Sequence, residues 1–131
     1  MKKRPTIVLA DDDPALVHQI RQLLLPEFEV VGAVGDGEAL LVAGRNLHPD
    51  LFLLDISMPR LNGFQAARQL KREQPEARIL FLTVHEEPVA VSAALAIGVA
   101  GYVLKRSAAS DLIPALRQVF EGGRFVSVSV Q

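Results

Sequence analysis

LFLLD, residues 51–55, is four consecutive apolar residues ending on an aspartate. A half-exposed strand alternates apolar and polar side chains, whereas an unbroken apolar run of this length fits a strand covered on both faces, in the middle of a parallel sheet. Asp55 then falls at the carboxyl end of that strand, where the loops of open parallel sheets converge. Working outward, TIVLA at 6–10, ILFLT at 79–83 and GYVL at 101–104 are runs of the same kind, and a softer one covers 28–34.

Segments of helical period separate these runs. In the first, Asp13 is the expected N-cap, Pro14 takes the first helical position, Leu16, Ile20, Leu23 and Leu24 share one face, and Pro26 stops the helix. A turn at Asp36-Gly37 leads to a short helix over 38–46. Asn62 followed by Gln65 has capping-box spacing for a third, ending before Pro75. A fourth runs from Glu87-Pro88 to Gly98. Ser110 is the expected cap of a fifth, whose first turn Pro114 weakens and which Gly122-Gly123 ends. Five strands alternating with five helices imply an α/β fold: a doubly wound, flavodoxin-like, five-stranded parallel sheet in three α/β/α layers. A length of 131 residues suits one such domain over 1–131, with no output domain.

Composition narrows the function classes. Half the residues are apolar and 22% charged, as in a globular protein, and a net charge of −1 gives no global reason to expect binding to nucleic acid or an anionic membrane. The absence of cysteine excludes disulfides, thiolate metal sites and cysteine nucleophiles, and fits a reducing compartment. The longest uncharged run, 88–104, is shorter than the roughly 20 apolar residues a membrane span needs. No signal-peptide core is visible, so a cytoplasmic location is expected.

Four sets of polar residues fall at the carboxyl ends of the strands: Asp11 and Asp12 after the first, Asp55 after the third, Thr83 closing the fourth and Lys105 after the fifth. Two carboxylates at about 4 Å repel by roughly 4 kcal/mol at an effective dielectric of 20, so three in one pocket require positive charge. Lys105 and a divalent cation supply it, and oxygen ligands with no His or Cys among them favour Mg²⁺ or Mn²⁺. Asp55, already ionised, needs no base to attack a phosphoryl group whose oxygens Lys105 and the Thr83 hydroxyl can hold. Each residue alone also has a structural reading as a cap, a turn or a strand end; their conjunction points to chemistry.

The strings LADDDP, LLDISMP, LFLTVHEE and GYVLK, in this order and spacing, resemble response-regulator receivers over essentially the whole chain. The likeness is greatest to the NarL/LuxR class, in which a stretch similar to GGRFVS leads to a helix-turn-helix output domain. The resemblance implies that Asp12 and Asp55 ligate the metal, that the backbone carbonyl of Ser57 joins them, and that Asp11 acts mainly through water. It further implies that Thr83 and Tyr102 form a switch: Thr83 moves toward the phosphoryl oxygen, the Tyr102 ring turns inward, and the face formed by helix 4, strand 5 and helix 5 is reshaped toward an output or a homodimer. The expected phosphoryl donor is a sensor histidine kinase or a phosphotransfer protein. Either a truncated transcriptional regulator or a stand-alone receiver fits the length.

Three other readings compete. A turnover phosphatase needs a second acid two residues after the nucleophile, where Ser57 stands. A flavin or nucleotide site needs a Gly- or Ser/Thr-rich loop after the first strand, where aspartates stand instead. A receiver that no longer takes phosphate is opposed by the intact set. His85 reads as an ordinary loop residue. On helix 4, Val89, Val91, Ala94 and Leu95 are candidates for an apolar partner surface. Val84 and Arg106 depart from the small residue and the proline common at these positions in receivers, and slower water access is the expected result.

Overall fold

The structure, a computed structural model, describes residues 3–127. In chain order it contains β1 Thr6–Ala10, α1 Pro14–Leu24, β2 Glu29–Val34, α2 Gly37–Leu47, β3 Leu51–Leu54, α3 Gly63–Glu73, β4 Ile79–Thr83, α4 Pro88–Ile97, β5 Gly101–Leu104, α5 Ala108–Phe120 and β6 Phe125–Val126. The strands pair in parallel in the order β2-β1-β3-β4-β5-β6. The expected five strands are therefore joined by a sixth of two residues. Gly122, at a φ of +93°, turns the chain after α5, and Phe125 and Val126 then pair with Gly101 and Tyr102 along the outer edge of β5.

The all-apolar runs lie where parallel-sheet physics requires. β3, β4 and β5 are buried at every position, while the edge strand β2 has none fully buried. Crossovers divide the side chains into two cores. One packs α1 and α5 against Ile7, Leu9, Leu53 and Val103; the other packs α2, α3 and α4 against Val8, Phe52, Phe81 and Tyr102. Burying each of the two phenylalanines completely contributes roughly 1.5–3 kcal/mol.

Local signals largely hold. Asp13 accepts from the N–H groups of Ala15 and Leu16, and the Asn62/Gln65 capping box is reciprocal at 2.9 and 3.0 Å. Asp36, expected in a turn, is the N-cap of α2 and accepts from Ala39 N–H at 2.8 Å. At α5 the expectation fails: the helix starts at Ala108, preceded by one 3-10 turn over Lys105–Ser107, and the Ser110 hydroxyl donates to Ser107 O. Continuing straight from β5 into a tight turn buries Ala108 under α1, and this outweighs the preference for a serine cap. Pro114 consequently lies inside the helix, beyond its first turn. On α4, Val91 and Ala94 point into the core, so the supposed apolar surface reduces to Val89, 80% exposed, and the half-buried Leu95.

Candidate phosphoacceptor site

Register builds the site. Ala10 is level with Leu54, so one further step along each strand brings Asp11 and Asp55 side by side, and Asp55 N–H donates to Ala10 O at 2.9 Å. Chain continuation from β1 and β3 leads to opposite sides of the sheet, which opens a crevice between them. Thr83 is level with Leu104, so Lys105 emerges one residue beyond the β4–β5 pairing and reaches back across the crevice.

Its ammonium lies 2.8 Å from Asp11 and 3.2 Å from Asp55. Burial disfavours the ammonium, but the hydrogen bond it donates to Asp11 and the two carboxylate charges outweigh it and raise the Lys105 pKa above the ordinary lysine value. Asp55 is 4% exposed, and burial pushes its pKa up; Lys105 opposes this and the Asp11 charge adds to it. One carboxyl oxygen of each of Asp11, Asp12 and Asp55 lies within 4.8 Å of the others. Among the described residues, three carboxylates thus gather at a site where Lys105 pairs with two of them.

The fit to a hard cation follows from one further observation. Asp55 Oδ2 is engaged by Lys105, whereas Oδ1 is buried without a hydrogen-bond partner. A buried, unsatisfied carboxylate oxygen is costly, and beside an exposed Asp12 it offers the lone pairs that an oxygen-preferring cation takes. Asp11, by contrast, is occupied: Oδ2 meets Lys105 and Oδ1 accepts from Asp13 N–H at 2.9 Å.

Thr83 is fully buried and its hydroxyl oxygen accepts from His85 N–H at 3.1 Å. With Val84, Glu86, Leu104, Lys105 and Arg106 it lines a cleft of about 140 Å³. Val84 is 64% exposed at its rim, and Arg106 pairs with Glu86 across it at 2.7 Å. Tyr102 is fully buried, its ring edge-on to Phe81, and its hydroxyl donates to His85 O at 2.6 Å. Burial, with the Glu87 charge, pushes its pKa up to about 12. The ring is therefore already inward.

Asp11, Asp12, Asp55, Thr83 and Lys105 lie at this end of the sheet, Ser57 is exposed two residues after Asp55, and Tyr102 reaches this end through its bond to His85. Sequence reasoning missed His85. Its backbone binds both Thr83 and Tyr102, its Nε2 lies 2.8 Å from Ser57 Oγ and its Nδ1 3.4 Å from Glu87. Nothing in a lone histidine signals four contacts drawn from two strands and two loops. Asp36 and Arg60 were missed as well; the Arg60 guanidinium donates twice to Asp36 Oδ2, at 3.0 and 2.6 Å.

Comparison with known proteins agrees with this fold. The family described as response regulator receiver domain matches residues 7–117. The transcriptional regulatory protein DegU of Brevibacillus brevis is 36% identical over 126 residues, covering 95% of this chain and 53% of DegU. The nitrate/nitrite response regulator protein NarL of Escherichia coli K12 is 38% identical, covering 93% of this chain and 57% of NarL. The isolated receiver domain of RcsB from Salmonella enterica serovar Typhimurium, solved in the presence of the phosphomimetic BeF3-, superimposes with a TM-score of 0.91 at 32% identity, covering 98% of this chain and 96% of that one. The chain thus spans little more than half the length of these two curated regulators. With the profile, the relatives and the superposition all pointing one way, the chain belongs to the response regulator receiver family, its relatives being regulators of the NarL/LuxR type.

Proposed function

We propose that this receiver takes a phosphoryl group on Asp55 from a histidine kinase or phosphotransfer protein and relays the event to an output, transcriptional in the longer relatives. The observation that carries the reading is the buried, unpartnered Oδ1 of Asp55 beside two further carboxylates and one ammonium. Asp12, Asp55 and the Ser57 carbonyl are the proposed holders of Mg²⁺, or of Mn²⁺, with Asp11 orienting bound water. When bound, the cation supplies positive charge that offsets the carboxylates and polarises a phosphoryl oxygen. The Asp55 carboxylate attacks phosphorus in line; the P–N bond of a phosphohistidine donor breaks and its electron pair returns to the imidazole. Lys105 and the Thr83 hydroxyl take the phosphoryl oxygens. Hydrolysis back to the free aspartate is slow on this reading, and the chain is a switch rather than a turnover catalyst.

Movement of Thr83 onto the phosphoryl group takes its hydroxyl from His85 N–H. It thereby loosens the loop against which Tyr102 is bonded, which couples the site to the α4–β5–α5 face. That face is the proposed surface for dimerisation or output. Mass spectrometry after incubation with acetyl phosphate and Mg²⁺ tests the proposal: one phosphoryl increment in the wild type and none in Asp55→Asn is expected. No increment, or one that persists in the variant, overturns it.

A further inference from the structure

Among the described residues, the loop between β3 and α3 contains the one positive-φ position near the site. Arg60 has a φ of +65°, and Leu61 N–H donates to Pro59 O at 2.7 Å. An i to i+2 hydrogen bond around a positive-φ residue is a γ-turn of the rarer, strained hand. Glycine adopts it without a Cβ clash, yet the chain places a long cation there. The Arg60 side chain is 63% exposed, but its head is fixed by two hydrogen bonds to one oxygen of Asp36. Asp36 is itself held, since its other oxygen caps α2 at Ala39, and that hydrogen bond, with the Arg60 contact, keeps its pKa below the usual carboxylate range. A second tie runs alongside: Gly37 N–H donates to Leu61 O at 3.1 Å. The strained turn is thus bound to the α2 N-terminus through both side chain and backbone. Upstream of it lie only Ser57, Met58 and Pro59 before the buried Asp55-Ile56 pair. Strain maintained so close to a site, and over-determined by its surroundings, points to a requirement for that backbone path.

We infer that Arg60, anchored on Asp36, is a positioning residue for the cation side of the site, holding the loop so that the Ser57 carbonyl is pre-set beside Asp55. The inference rests on the phosphoacceptor reading above. Removal of the anchor leaves the ligands present but the loop free to wander, so cation affinity falls although no ligand has changed.

The test is calorimetric titration of Mg²⁺ into the metal-free chain, with thermal melts in chelator run in parallel. Wild type and Asp55→Asn come first: binding that requires Asp55 secures the underlying reading, and its absence defeats that reading and this inference together. Arg60→Gly relieves the positive-φ strain and is expected to hold or raise Tm while weakening Mg²⁺ about tenfold. Asp36→Asn keeps a competent helix cap and is expected to weaken Mg²⁺ to a similar degree. The double variant should bind no worse than Arg60→Gly, since the two residues act as one device. A merely structural role moves Tm and leaves affinity alone. If Asp55-dependent binding is intact and Arg60→Gly binds within twofold of wild type, the inference is overturned while the phosphoacceptor reading stands.

Discussion

Two loops flank the phosphoacceptor, and they are built on opposite principles. The β3–α3 loop is locked. Ile56 and Met58 are buried, Gly63 N–H donates to Ile56 O at 2.7 Å, Asn62 and Gln65 form a reciprocal cap, and Arg60 is fastened to Asp36. A Cβ on Gly63 would lie 2.2 Å from Asp55 O and one on Gly37 2.3 Å from Leu61 O, so backbones meet here with no room for a side chain. The β4–α4 loop is held lightly. Val84 is exposed, the N-cap Glu87 makes no side-chain cap bond, and the Glu86–Arg106 pair is more than half exposed at both ends. Its firm attachments all pass through His85: two backbone bonds, to Thr83 and Tyr102, and one side-chain bond to Ser57. The contrast teaches that the loop after Asp55 is fixed by its surroundings while the loop after Thr83 has fewer ties, as the proposed device, binding first and changing shape afterwards, requires.

The comparison can be broken most severely on the locked side. Gly63→Ala drives a methyl into the Asp55 carbonyl and should cost about 3 kcal/mol or more, read by denaturant unfolding. A cost under about 1 kcal/mol would show the loop to be soft. On the mobile side, Tyr102→Phe leaves the His85 carbonyl without its donor, and a loss of about 1 kcal/mol is expected, with the switch response impaired. A loss as large as that at Gly63 would erase the distinction between the loops.

Asp55→Asn should have a smaller effect of opposite sign. The folded pKa of Asp55 is raised chiefly by burial, so its ionised form works against the fold. Any stability it contributes is complete below the unfolded carboxylate pKa of about 3.9 and is lost as pH rises through the folded value. The variant should therefore melt higher than wild type at neutral pH in chelator, and the gap should close on acidification. A gap that widens toward acid pH would contradict the burial argument. The smallest change belongs to the exposed pair: Glu86→Gln should alter stability by no more than about 0.5 kcal/mol, while shortening the phosphoryl lifetime if the pair screens the Thr83 cleft. An unchanged lifetime would remove that screening role and leave Val84, tested by Val84→Ala, as the remaining barrier to water.

Much of the molecule is legible in its sequence. Uninterrupted apolar runs such as LFLL mark strands buried on both faces, and Asp13-Pro14 and Asn62 with Gln65 carry helix starts in their own side chains. The carboxyl-end aspartates, Thr83 and Lys105 could be gathered on paper because the parallel topology sends every strand end to the same side. The start of α5 was misplaced, since Ser110 is a good cap but burial of Ala108 decided the matter. Val91 and Ala94 were read as surface because an all-apolar helix gives no polar face by which to orient it.

Sequence by itself determined five of the six strands described, the five helices and the residue types that collect at the strand ends, since these depend on runs, caps and residue types that act within a few positions. Only the tertiary structure decided that β6 pairs along the edge of β5, that His85 reaches Ser57, and that Arg60 reaches Asp36. Such contacts join residues about 24 or more apart in the chain, where no local pattern marks a partner and the packing of loops chooses among many candidates.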